Sequence, residues 1–165
     1  MMAQAHPKLA LRPYLAADAA LLREIFRASM TADDYSQAQQ QAWASAADDE
    51  VAFGKRLGSH LTLVAMLAGS AVGFAALASG NRIDMLYVHP AAVRQGVGAM
   101  LVDALEKLAG SRGAALLTID ASDSARGFLE KRGYVAQQRN SVLVGDEWLA
   151  NTTLHKQLTA KREAS

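Results

Sequence analysis

The chain has 165 residues, the length of one compact domain, and is 51% apolar and 20% charged, which excludes the disordered and fibrous classes. Seventeen Lys and Arg against sixteen Asp and Glu leave a net charge of +1, too small an excess for tight binding to nucleic acid. It has no cysteine, which removes disulfides, thiolate zinc sites, iron–sulfur clusters and a cysteine nucleophile together.

Pro7, Lys8, Arg12, Pro13 and Asp18 interrupt the first twenty residues, so no signal-peptide core is expected there. No run approaches the roughly twenty apolar residues of a membrane helix. The expectation is a soluble cytoplasmic protein without a membrane or nucleic-acid partner. Lys8 to Leu15 reads as an opening strand, and Asp18 as an N-cap whose carboxylate accepts from the first helical turn. Leu21, Leu22, Ile25 and Phe26 recur at helical spacing. Tyr35 to Ala47, rich in Ala and Gln, predicts a second helix, and Val51 to Leu57 a third that closes near Gly58.

From Leu61 the character changes. Leu61 to Leu67, Ala71 to Ala78 and Ile83 to Val88 are short apolar runs separated by Gly69-Ser70 and Gly80-Asn81, which reads as an antiparallel meander. Their near lack of polar positions predicts that both faces of the sheet are covered. A loop, His89 to Gln95, leads to a helix from about Gly98 to Arg112, with Leu101, Leu105 and Leu108 on one face. Ala115 to Asp120 is the next strand, Asp123 to Arg132 the next helix, ended by Gly133. Two strands, Tyr134 to Val144 and Glu147 to Leu158, join at Gly145-Asp146. Strand, helix, strand in succession demands a crossover and a parallel pair. The fold class is mixed α/β: one domain over 1–165, with its core at about 8–158 and a frayed tail at 159–165.

Chemistry concentrates between Tyr87 and Leu101, where Gly96 and Gly98 stand at a helix start beside Arg94. Helix starts offer unpaired amides and the positive end of the macrodipole, and glycine lets an anion approach them. An ordinary glycine-containing helix start is the alternative. A P-loop needs Lys-Ser or Lys-Thr after its last glycine, and Ala99-Met100 follow here. A dinucleotide fingerprint needs a third glycine where Leu101 stands, although Asp120 sits near the position of its ribose-binding acid.

The whole segment resembles the GNAT superfamily of acyl-CoA-dependent N-acyltransferases. That family's signature is Arg/Gln-x-x-Gly-x-Gly/Ala after a strand ending Val-x-Pro. Val88-His89-Pro90 and Gln95-Gly96-Val97-Gly98-Ala99 match it, with Val93 replacing the usual first Arg or Gln and Arg94 one place on. Downstream, Ser122-Asp123-Ser124-Ala125-Arg126-Gly127-Phe128-Leu129-Glu130-Lys131-Arg132-Gly133-Tyr134 is similar to the family's Asn-x-x-Ala-x-x-Phe-Tyr-Glu-Lys-x-Gly-Phe. The resemblance spans about Lys8 to Leu158. It implies acetyl-CoA as co-substrate, with no metal, and a small-molecule or peptide amine as acceptor; a homodimer is compatible with it.

The resemblance assigns donor binding to Leu86, Tyr87, Val88, Arg94, Gln95, Gly96, Val97, Gly98, Ala99, Ser122, Phe128 and Lys131. It implies that the strand at Leu86 to Val88 splays from the strand at Ala115 to Asp120 to admit the thioester. Acyl transfer from a thioester needs orientation, a deprotonated amine and oxyanion stabilisation. Without cysteine, direct attack in a ternary complex remains. Where many members carry a basic glutamate, Arg82 stands; Asp84, two residues on, is the candidate base, or else a salt-bridge partner of Arg82. The family's acidic tyrosine is replaced by Leu129, leaving Tyr134 as the nearest phenol, either an acid or a core residue. Tyr35 and Trp43 fall where the family builds its acceptor pocket, with ordinary packing as the alternative. Asp33, Asp34, Asp48, Asp49 and Glu50 either draw in a cationic amine or are simply solvated. A non-catalytic acyl-CoA-binding module and a nicotinamide-dinucleotide-binding protein stand as alternative functions.

Overall fold

The computed structural model describes residues 8–31, 36–45 and 49–158. Strand β1 (Leu9–Pro13) leads through a 3-10 turn (Ala16–Asp18) into α1 (Ala19–Thr31), α2 (Gln37–Ser45) and α3 (Glu50–Ser59). The meander follows as β2 (Leu61–Leu67), β3 (Ser70–Ala78) and β4 (Arg82–Val88). Then come α4 (Val97–Ser111), β5 (Leu116–Ala121), α5 (Asp123–Lys131), β6 (Val135–Val144) and β7 (Glu147–Gln157). The strands form one sheet in the order β1-β2-β3-β4-β5-β7-β6. Every neighbouring pair is antiparallel except β4–β5, so the sheet is mixed, as the element order predicts. No described helix is long and apolar enough to cross a membrane.

Both faces of the meander are covered, and each has its own core. On one face α1 and α3 bury Leu22, Ile25, Phe26, Phe53 and Leu57 against Val64, Phe74 and Met85. On the other, α4 and α5 bury Leu101, Val102, Leu105 and Leu129 against Ala75, Leu77, Leu117 and Leu154. Strand β3 is buried from Gly73 to Ala78 because it runs between these two layers. A Cβ at Gly73 would lie 3.0 Å from both the Tyr87 carbonyl and Val97 Cγ1, so only glycine lets the start of α4 press this close to the sheet.

Two expectations are corrected. Leu21 lies 47% exposed, since Leu22, Ile25, Phe26 and Met30 already complete the buried stripe of α1. Asp18 does not cap α1: its carboxylate turns back to accept the Leu15 amide at 2.8 Å and both Arg12 terminal nitrogens at 2.7 and 2.8 Å. The cap expected from an acid before a helix is instead seen at Asp49, which accepts the Ala52 amide and opens α3. Residues 159–165 lie outside the described residues.

Candidate active site

Helix α4 starts as an open cradle of backbone. Gly96 at its N-cap takes φ +82, and Arg94 two residues earlier takes φ +68. This left-handed conformation costs an L-residue about 1–2 kcal/mol and glycine almost nothing. The first helical bond runs from Met100 N to Gly96 O at 3.0 Å, so the amides of Val97, Gly98 and Ala99 have no partner within the helix. A Cβ at Gly96 would meet open space, whereas one at Gly98 would lie 3.4 Å from Phe128. The first glycine keeps the cradle open; the second lets α5 pack beside it.

The cradle faces a gap in the sheet. Strands β4 and β5 pair only at Arg82↔Thr118 and Ile83↔Ile119, and beyond these they splay. Within β4 the partner of Ala76 is Met85 and that of Leu77 is Ile83, so Asp84 is an extra, bulged residue that bends the strand away. A cleft of about 720 Å³ opens here, lined by Asp84 to Val88, by Arg94 and Gly96 to Ala99, and by Asp120 to Ser122 with Phe128. Ser122 also caps α5, accepting the Ala125 amide at 3.3 Å.

Asp84 reaches the cleft, but both of its oxygens are engaged. Oδ2 accepts Arg56 Nε at 2.8 Å and His60 Nε2 at 3.1 Å, and Oδ1 accepts Arg82 Nη1 at 3.0 Å. Burial pushes its pKa up, but the hydrogen bonds and charges of Arg56 and Arg82 outweigh that and bring it to about 2. So stabilised an anion is a weak proton acceptor. The geometry supports the salt-bridge alternative, enlarged by two partners the sequence does not place beside it, Arg56 and His60.

Tyr134 is not on the cleft wall. It is buried, and its hydroxyl donates to Glu106 Oε2 at 3.0 Å, where Lys156 also binds that carboxylate. Burial first, then the Glu106 charge, pushes its pKa far above the ordinary phenol value; of the two alternatives for this residue, acid or core, the geometry supports the core one. Leu129, at the family's tyrosine position, is fully buried, and its neighbour Phe128 faces the cleft instead.

Of the predicted donor residues the structure brings ten to one cleft: Leu86, Tyr87, Val88, Arg94, Gly96, Val97, Gly98, Ala99, Ser122 and Phe128. Gln95 and Lys131 are exposed and off its wall, Lys131 because it ends a helix that begins at the cleft. Tyr35 lies outside the described residues, as do Asp33, Asp34 and Asp48; Trp43 lies on α2, its side chain outside what is described. Sequence reasoning missed Ser29 and Met30 of α1 and Asn151 of β7 as cleft residues.

A family model, the acetyltransferase (GNAT) domain, matches residues 31–149. The chain is 33% identical over 144 residues to the uncharacterized N-acetyltransferase YafP of Escherichia coli strain K12, covering 86% of this chain and 91% of that one. It is 60% identical to a GCN5-related N-acetyltransferase crystallised from Rhodopseudomonas palustris, with a TM-score of 0.89 over 96% of this chain and 99% of that one. The PaiA N-acetyltransferase of Thermoplasma acidophilum, solved in complex with coenzyme A, shares the fold at 17% identity and a TM-score of 0.75, over 91% of this chain and 99% of that one.

Proposed function

The chain belongs to the GNAT acetyltransferase family, and from that premise we propose that it moves the acetyl group of acetyl-CoA to a primary amine by direct attack in a ternary complex, acting as one domain. The observation that carries this reading is the splay of β4 from β5 beside an uncapped start of α4. In this reading the amides of Val97 to Ala99 hold the pyrophosphate, assisted by the helix dipole and the Arg94 charge. The backbone of Leu86 to Val88 leaves β5 at the splay, and in this reading that edge of β4 binds the pantetheine and stabilises the developing oxyanion. Phe128 and Ser122 form the opposite wall. No phenol stands on the described wall except Tyr87, whose ring packs edge-on to Phe26 with centroids 4.8 Å apart.

A thermal-shift titration with acetyl-CoA, followed by an amine panel read by thiol release, tests the reading. The expected result is a raised melting temperature and acceptor-dependent release of CoA. An unmoved melting temperature at millimolar acetyl-CoA overturns the donor assignment; a shift without thiol release favours a non-catalytic acyl-CoA-binding module.

A further inference from the structure

Past Ile83 and Ile119 the next residue on each splaying strand is a carboxylate, Asp84 on β4 and Asp120 on β5. Their surroundings differ. Asp84 is held by Arg56, Arg82 and His60. Asp120 stands exposed on the cleft wall and accepts one hydrogen bond, from the Thr153 hydroxyl to Oδ1 at 2.5 Å. No cation pairs with it among the described residues.

The polarity of its network is fixed from that carboxylate outward. An ionised carboxylate only accepts, so Thr153 spends its one hydroxyl proton on Asp120. The Asn140 atom 2.8 Å from the Thr153 oxygen is therefore the donor Nδ2. The same Nδ2 reaches Asn151 at 2.8 Å, so the Asn151 atom there is the acceptor Oδ1. Asn151 lines the cleft and is left with Nδ2 to donate. Asp120 stands opposite Thr153 in the β5–β7 register, and strand alternation puts Asn151 on the same face as Thr153.

We propose that Asp120 and Asn151 form the acceptor subsite, in which Asp120 pairs with the acceptor's ammonium and takes its proton while the Asn151 carboxamide donates to an oxygen on the adjoining carbon. The acceptor class is a primary amine with a neighbouring carbonyl, as in an amino-acid amide. This rests on the acetyl-transfer reading above. The ammonium gives one proton to Asp120, and the freed lone pair forms the C–N bond with the thioester carbonyl carbon. The C–S bond breaks with its electron pair on the CoA sulfur. A second nitrogen proton passes through solvent to that thiolate, and Asp120 returns its own proton to solvent.

Glycinamide and n-propylamine serve as probes, with thiol release giving kcat/KM and calorimetry giving the acetyl-CoA Kd. Asp120→Asn is expected to lower kcat/KM roughly a hundredfold for both amines at an unchanged acetyl-CoA Kd, and Asp120→Glu to recover part of it. Asn151→Ala is expected to cost glycinamide about tenfold more than n-propylamine, the effect of one lost hydrogen bond; taking the ratio cancels the difference in amine basicity. Wild-type kcat/KM in Asp120→Asn, a parallel loss of acetyl-CoA affinity, or equal factors for the two amines in Asn151→Ala would overturn the subsite. So would a wild-type protein that binds acetyl-CoA and acetylates neither probe. A wild-type protein that binds no acetyl-CoA overturns the acetyl-transfer reading itself, and the calorimetry separates that outcome from the others.

Discussion

At the α4 end of the cleft the polar groups are backbone amides, set in place by positive φ at Arg94 and Gly96. At the β5–β7 end they are side chains, Asp120, Asn151 and their partners Thr153 and Asn140, drawn from three strands. A backbone site depends on conformation and tolerates side-chain change, provided glycine remains where φ demands it. A side-chain site depends on identity at each position and on strand register. On the acetyl-transfer reading, the backbone wall suits an invariant cofactor group and the side-chain wall a selected acceptor.

The backbone wall should be the easier one to break. Acetyl-CoA at a hundredfold excess over its Kd is expected to stabilise the fold by about 2.7 kcal/mol, and Gly96→Val to abolish that shift. Valine must adopt φ near +82 there, at about 1–2 kcal/mol of strain, and its methyls fill the space over the free amides. Thermal melts with and without acetyl-CoA check both parts. An undiminished shift would place the phosphates elsewhere.

Leu129→Tyr asks whether the family's phenol can be restored. Its position is fully buried among α4, β5 and β7 residues, so the larger side chain overpacks the core, at about 1–3 kcal/mol. Chemical denaturation should show that loss, and thiol-release assays should show no gain in rate. A faster enzyme would mean that the ring had found the cleft.

This contrast also decides what the sequence made legible. The meander and the α4 start were readable because apolar runs, turn glycines and helical spacing are local patterns, and Phe128 because the family resemblance places it. Ten of the twelve residues that the resemblance assigns to the donor line one cleft. The bulge at Asp84 was invisible, since it arises from a register shift against Ala76 and Leu77 on another strand. Arg56 and His60 lie 28 and 24 residues from Asp84, and no periodicity connects them. Asp120 entered the sequence reading only for its place in a dinucleotide fingerprint, because its partner Thr153, and the Asn140 that donates to Thr153, come from β7 and β6.

Asp84→Asn sharpens the comparison from the side-chain end. A pKa drawn from 3.8 to about 2 corresponds to about 2 kcal/mol, reduced to about 1 kcal/mol because Arg56 and Arg82 are half exposed. With the folded pKa below the unfolded one, this stability is fully present above pH 3.8 and lost as pH falls through about 2. The wild-type advantage over Asp84→Asn should therefore be constant from pH 5 to 7 and shrink on acidification. Denaturation at pH 6 and pH 3 checks it, and a difference that widens with acid would remove the ion cluster as its cause. Acetyl-CoA affinity should not change.

The smallest effect belongs to Tyr134→Phe. The ring remains, 5.7 Å from Lys156 Nζ, and Glu106 keeps its ion pair with Lys156 at 3.0 Å, so one hydrogen bond is lost, at about 1 kcal/mol. Burial and the Glu106 charge hold the phenol neutral, and the Tyr134 side chain is absent from the cleft wall. Its removal should leave kcat/KM and the alkaline limb of the rate profile where they were. The departing thiolate then takes its proton from solvent or from the amine. A hundredfold loss with the fold intact would mean that α4 opens far enough during turnover to bring Tyr134 to the sulfur, and the division into a backbone wall and a side-chain wall would need a third, mobile part.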